Sequence, residues 1–223
     1  MIDPENITDF RRSQEEMEIF LVFAIAVAGR KSSIIATKIN EMFYGDCLPS
    51  VMPEESFPVQ LEAAKEMSDN LGHRKMTPLG AINNLFHQRL LGSFLELHRL
   101  GQYSRIGKCL KQISSTRGGV NAIQRVTIDQ LQSYDGIGPK TARFFMLHCF
   151  PHQRLAVLDT HILSWLSRYI EMSLGRPSGT VPTVTPSSSG TYAFWELVWL
   201  GYCFKNNRNP AQLDLEIWNA ESR

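Results

Sequence analysis

The chain has 223 residues, 43% of them hydrophobic and 20% charged, enough to bury a core in one domain or two small ones. A formal net charge of +1 rules out a chain-wide basic field, so any nucleic-acid surface has to be local. The cysteines Cys47, Cys109, Cys149 and Cys203 are widely separated. They offer no zinc or iron–sulfur spacing and read as buried free thiols in a reducing compartment.

In chain order the pattern is helical nearly throughout. Ser13-x-x-Glu16 has the form of a capping box opening a helix that runs through Phe20–Ala28 and stops at Gly29. Ile19 to Ala28 is an apolar run of ten, half of the roughly 20 residues that a membrane span needs. With Asp3, Glu5 and Asp9 ahead of it, it reads as a central buried helix, neither a span nor a signal peptide. The expectation is a soluble, intracellular protein with no membrane partner.

A polar turn, Gly29-Arg-Lys-Ser-Ser33, precedes a helix carrying Ile34, Ile35, Ile39 and Phe43. Residues 44–58 are proline-rich and read as loop. Helices are predicted over 59–70, 78–91 and 104–113, with Thr77-Pro78 as cap and first turn of the second. Residues 173–190, rich in Gly, Pro, Ser and Thr, read as a mobile loop. Trp195, Val198, Trp199 and Tyr202 then share a helical face, and Asn209-Pro210 starts a last helix with Leu213 and Ile217. Ala156-Val-Leu158 is too short to count as a strand. The predicted fold class is all-α.

Thr127 to Tyr169 carries the chemistry. Thr127-x-x-Gln130 is a capping box for a short helix to about Tyr134. Asp135-Gly136-Ile-Gly138-Pro139 turns the chain, and Pro139 suits the first position of a new helix from Lys140 to about Phe150. Helix, G-I-G, helix is a helix-hairpin-helix pattern. Its glycines let backbone approach a phosphate, and its N–H groups favour an anion. A plain tight turn between core helices is the other reading.

Lys140 sits in the first turn of the second helix, where the helix dipole should lower its pKa. A neutral lysine amine is a nucleophile toward a sugar aldehyde; a solvated surface lysine is the bland alternative. Asp159 follows nineteen residues later in Leu158-Asp-Thr-His-Ile162, ahead of the stripe Ile162, Trp165, Leu166 and Tyr169. It reads as that helix's N-cap, an ionised carboxylate able to stabilise an oxocarbenium-like sugar, or a cap and nothing more. His148 and His152 are four apart, but Pro151 interrupts the helix between them, so they are not read as metal ligands; no metal site is expected.

G-I-G-P-Lys140 followed by Asp159-Thr-His161 resembles the signature of helix-hairpin-helix DNA glycosylases. Its spacing is similar to the 8-oxoguanine DNA glycosylase branch, as is the tail Leu213–Trp218. The match is strong over about residues 127–170. Tyr134-Asp135 stands where many relatives have Leu-Pro, and the iron–sulfur cysteines of the endonuclease III branch are absent.

The resemblance implies two helical domains with a cleft between them. One would cover 29–154 and end in the hairpin; the other would combine 1–28 with 155–223. It implies a base-excision-repair glycosylase with AP lyase activity. Lys140, assisted by Asp159, would displace an oxidised purine flipped from duplex DNA and form a Schiff base. Gly136, Gly138, Pro139, His161, Arg30 and Lys31 would meet DNA, though His161 reads equally as a cap-region residue and Arg30-Lys31 as a polar connector. Trp218 and Phe204 are candidates to stack on the base, with core the first reading of both. No cofactor is expected beyond a possible monovalent cation at the hairpin, and the partner would be lesion-containing duplex DNA bound by a monomer.

Arg99, Arg105, Lys108, Lys111, Arg117 and Arg125, without an Asp or Glu between Glu96 and Asp129, add a basic approach to the hairpin. Two other functions fit part of the pattern: a non-catalytic DNA-binding module using the hairpin alone, and a glycosylase without lyase activity. Lys140 argues against the latter.

Overall fold

A computed structural model describes residues 1–45, 58–72, 76–116, 123–175 and 179–221. Cys47, Arg117, most of the 44–58 loop and residues 176–178 lie outside the described residues. Those described form eleven α-helices, one short 3₁₀ helix and no strand, so the fold is all-α. The helices are α1 (Gln14–Val27), α2 (Ser32–Tyr44), α3 (Pro58–Gly72), α4 (Pro78–His87), α5 (Leu91–Leu97), α6 (Tyr103–Ser115), α7 (Ile128–Gln132), α8 (Pro139–Cys149), α9 (Thr160–Leu174), α10 (Ser189–Lys205) and α11 (Pro210–Glu221). No helix among the described residues is long and apolar enough to cross a membrane.

Helix starts follow local chemistry. Ser13 and Thr127 close full capping boxes with Glu16 and Gln130. Thr77 Oγ1 accepts the Gly80 N–H ahead of α4, and Asn209 Oδ1 accepts those of Ala211 and Gln212 ahead of α11.

The chain divides into two compact units: Met1–Pro4 with Arg12–Ile137, and Glu5–Arg11 with Gly138–Arg223. This partition differs from that read in the sequence. Helix α1 belongs with the first unit because it packs on α2, α4 and α6, and α8 belongs with the second because it packs on α11.

In the first unit α1 is the centre, with Phe20, Val22, Ile25 and Ala26 fully enclosed. Glu18 is buried in the same helix. Its Oε2 accepts the Leu79 N–H at 2.9 Å, satisfying an orphan donor at the start of α4, and Gln14 donates to Oε1. Burial pushes the Glu18 carboxyl above its ordinary value, a trend that the Leu79, Gln14 and Thr77 hydrogen bonds oppose. The folded state then holds a proton that the unfolded state has released once pH passes about 4.5. Stability therefore falls as pH rises through the window from that value to the raised folded pKa. Glu18→Gln, which keeps an acceptor for Leu79, is expected to flatten this part of the melting temperature–pH curve; an unchanged curve refutes the assignment.

Two expectations change here. The helix predicted over 78–91 is two helices, because Arg89 turns left-handed (φ +63°) and ends α4 before α5 begins. Ile34 is 52% exposed, whereas Ile35, Ile39 and Phe43 face the core of α2.

The second unit packs α9, α10 and α11 around Leu158, Ile162, Leu166, Trp199, Leu213 and Ile217. Trp165, Tyr169, Val198 and Tyr202 pack partly buried against this cluster. The stretch read as a mobile loop is tied down over its described part: Val181 enters the core and Thr185 Oγ1 donates to the Leu158 carbonyl at 2.8 Å. Cys109, Cys149 and Cys203 are buried, and burial raises the Cys109 thiol to about 12 and that of Cys203 to about 11.

Candidate active site

Helix α8 organises the second unit. It opens with Pro139 at its first position after Gly138. Among the described residues of this unit, the buried histidine and carboxylate side chains are His148, Asp159, Glu196 and Asp214. One of them, His148, lies on α8, and each of the three acids faces a basic residue of α8: Lys140 meets Asp159, Arg143 meets Glu196 and His148 meets Asp214. Buried acids are rarely retained without a specific partner, so their convergence on one helix marks the site.

Lys140 Nζ stands 3.9 Å from Asp159 Oδ2; the lysine side chain is 37% exposed and the aspartate 12%. Asp159 Oδ1 accepts the Ile162 N–H at 2.9 Å as the N-cap of α9. The two oxygens divide the labour, one capping the helix and one facing the amine.

The segment leading into Asp159 is clamped by residues the sequence did not single out. Arg143 Nε and Nη2 donate to Glu196 Oε1 and Oε2 at 2.8 and 2.9 Å, a bidentate pair. Glu196 Oε1 also accepts the Ala156 N–H. Tyr192 lies under the Arg143 guanidinium, donates its hydroxyl hydrogen to Ala156 O and accepts the Leu158 N–H. Burial raises the Tyr192 pKa, so the hydroxyl stays a donor. One turn of α8 therefore carries the candidate nucleophile and the anchor of the strand-like segment presenting its partner.

His148 is fully buried. Its Nδ1 lies 2.8 Å from Thr8 Oγ1, its carbonyl accepts the Asp9 N–H, and its Nε2 is 3.3 Å from Asp214 Oδ2. Burial raises the Asp214 carboxyl above its usual range; His148 opposes this, Asp159 adds to it, and Lys140 opposes it more weakly. Asp214 Oδ1 has no hydrogen-bond partner among the described residues.

Other predicted site residues fall as follows. His161 and Trp218 meet edge to face, ring centroids 6.3 Å apart, both half-buried. Phe204 is 80% exposed near the end of α10, which overturns its core reading. Gly136 has φ +91°, which favours glycine, with Arg105 Cγ 3.2 Å from where a Cβ would stand. Gly138 has φ −86° and open space at its Cβ position, so its backbone does not demand glycine. Asp135 pairs with Lys108 at 2.6 Å and bonds Gln112; these contacts hold its carboxyl below the usual range. Lys31 is exposed at the N-cap of α2, and Arg30 is half-buried beside Gly101. In the basic segment Lys108 is thus neutralised, and Lys111 lies over the Phe86 ring.

Charged residues on apolar helical faces were the available signal for the missed ones. Glu196 lies beside Trp195 and Trp199, Asp214 beside Leu213 and Ile217, and His148 within Phe-Phe-Met-Leu-His-Cys149. No family model, curated protein or solved structure matches this chain.

Proposed function

We propose that the chain is a DNA glycosylase with AP lyase activity that excises an oxidised purine, with 8-oxoguanine the first candidate, through Lys140. The observation that carries the reading is the pairing of an accessible lysine amine with a nearly buried carboxylate at 3.9 Å. In this reading the target nucleotide leaves the duplex stack to reach the amine. The Lys140 amine, once neutral, bonds to C1′ while the C1′–N bond breaks and its electron pair departs with the base, which takes up a proton. Asp159, fixed by its cap bond, offsets the positive charge that develops on the sugar. Opening of the sugar ring leaves an iminium between C1′ and Nζ. That iminium acidifies the 2′ hydrogen, so loss of the 3′ phosphate by β-elimination nicks the strand.

The turn holding Gly136 and Gly138 is the proposed hairpin contact with the DNA backbone. Trp218, one helical turn beyond Asp214 on α11, is the proposed stacking surface for the extruded base, with His161 against its edge.

The test is incubation of the wild-type chain with duplex DNA carrying one 8-oxoguanine, followed by borohydride. A covalent protein–DNA adduct is the expected result. Absence of an adduct on 8-oxoguanine, on a panel of other lesions and on an abasic site would reject the lysine chemistry and favour a binding module.

A further inference from the structure

We propose that Arg30, Lys38, Arg99 and Arg105, in the first unit, form a binding site for a phosphate group. The four cations gather around the turn at residues 99–102, where Arg99, Gly101 and Gln102 are all left-handed (φ +49°, +62° and +46°). Arg30 Nη1 comes within 3.2 Å of where a Cβ at Gly101 would stand, so the missing side chain makes room for the guanidinium. Lys38 Nζ donates to the Arg99 carbonyl at 2.5 Å. Arg105 is locked by three neutral oxygens, Gln102 Oε1, Gly136 O and Ile25 O.

None of the four makes a salt bridge among the described residues. Of the nearby carboxylates, Asp135 is taken by Lys108, Glu41 acts on Lys38, and Glu96 lies on the adjoining groove. The remaining excess of positive charge is held at a cost in self-repulsion. Burial and the Arg105 charge lower the Arg30 pKa, and burial, Arg30 and Arg99 lower that of Lys38, as expected of crowded cations.

The geometry selects the ligand. Arg30 Nε and Nη2 are enclosed and have no hydrogen-bond acceptor among the described residues. These two atoms are one edge of the guanidinium fork, the edge that receives two oxygens of one phosphate or carboxylate. Three further cations favour the group with more oxygens and more charge, a phosphate. A shallow groove lined by Tyr103, Ser104 and Arg105 adjoins the cluster and supplies hydroxyl donors. The inference does not depend on the Lys140 chemistry, since it concerns a group on the first unit only.

The test compares wild type with Arg30→Gln in three measurements. On undamaged duplex DNA, the slope of log affinity against log salt is expected to shrink by about 0.9, one phosphate contact. With inorganic phosphate and no DNA, the wild-type melting temperature is expected to rise and that of the variant to rise less. Without phosphate or DNA, the variant is expected to melt about 1 °C higher than wild type, because a like-charge contact is relieved. A wild type that responds to inorganic phosphate but not to duplex supports the site and makes free phosphate its source. Equal salt slopes together with equal phosphate responses overturn the proposal, as does a wild type that responds to neither. A variant that melts lower without phosphate marks Arg30 as structural and also overturns it. Loss of the borohydride adduct with these three responses intact would reject the glycosylase reading alone.

Discussion

Lys140→Gln is expected to abolish the borohydride-trapped adduct and to slow base release by roughly 10³-fold or more, while duplex affinity stays within a few-fold of wild type. Glutamine has nearly the length of lysine but no nucleophilic amine, and the Lys140 side chain is 37% exposed, with Asp159 Oδ2 3.9 Å from its Nζ. Asp159→Asn supplies the control. It retains an oxygen to cap the Ile162 N–H, so α9 should keep its start, but it removes the charge facing Nζ. Adduct formation on a pre-formed abasic site should survive in Asp159→Asn better than base excision does. Lys140→Gln should lose both. Equal losses in the two variants would show that the carboxylate has no role beyond positioning the amine, and a trapped adduct in Lys140→Gln would move the nucleophile elsewhere.

Glu196→Ala is expected to cost about 3–5 kcal/mol of stability, the range for breaking a buried ion pair, and to lower the melting temperature by about 10 °C. Both side chains are nearly buried, at 14% and 12% exposure, so the stranded Arg143 guanidinium has little water to replace its partner. The Ala156 N–H loses its acceptor as well. The double variant Arg143→Met with Glu196→Leu should recover part of the loss, because it removes both charges, but not all of it, because Ala156 stays unpaired. If the clamp positions Asp159, the double variant should excise more slowly than wild type even where it is fully folded. Wild-type excision by a folded double variant would reduce the clamp to a stability element.

These two effects were legible to different degrees. The caps at Ser13, Thr77, Thr127 and Asp159 were readable because each bond closes within three residues. The Lys140–Asp159 pair was readable only through its resemblance to a known motif; nothing local says that residues nineteen apart should meet. The clamp was not readable at all. Arg143 and Glu196 are 53 residues apart, and Thr8 and His148 are 140 apart. Propensity carries no term for such distances. A charge on an otherwise apolar face is the trace they leave in the sequence, and it says that a partner is needed without saying which.

The sequence by itself determined the all-helical class, most helix starts, the apolar faces of α1 and α9–α11, and the turn chemistry around Gly136. These are settled by hydrogen bonds and periodicities that repeat within one or two turns of chain. Tertiary structure alone decided that α4 ends at His87, ahead of the left-handed Arg89, that Phe204 faces outward and that part of the Ser/Thr/Pro-rich stretch is anchored by Val181 and Thr185. It also decided that the three buried acids of the second unit each find a base on α8. Burial is a property of the packed chain, and whether a carboxylate is a surface charge or half of a buried pair is set only when distant segments exclude water together.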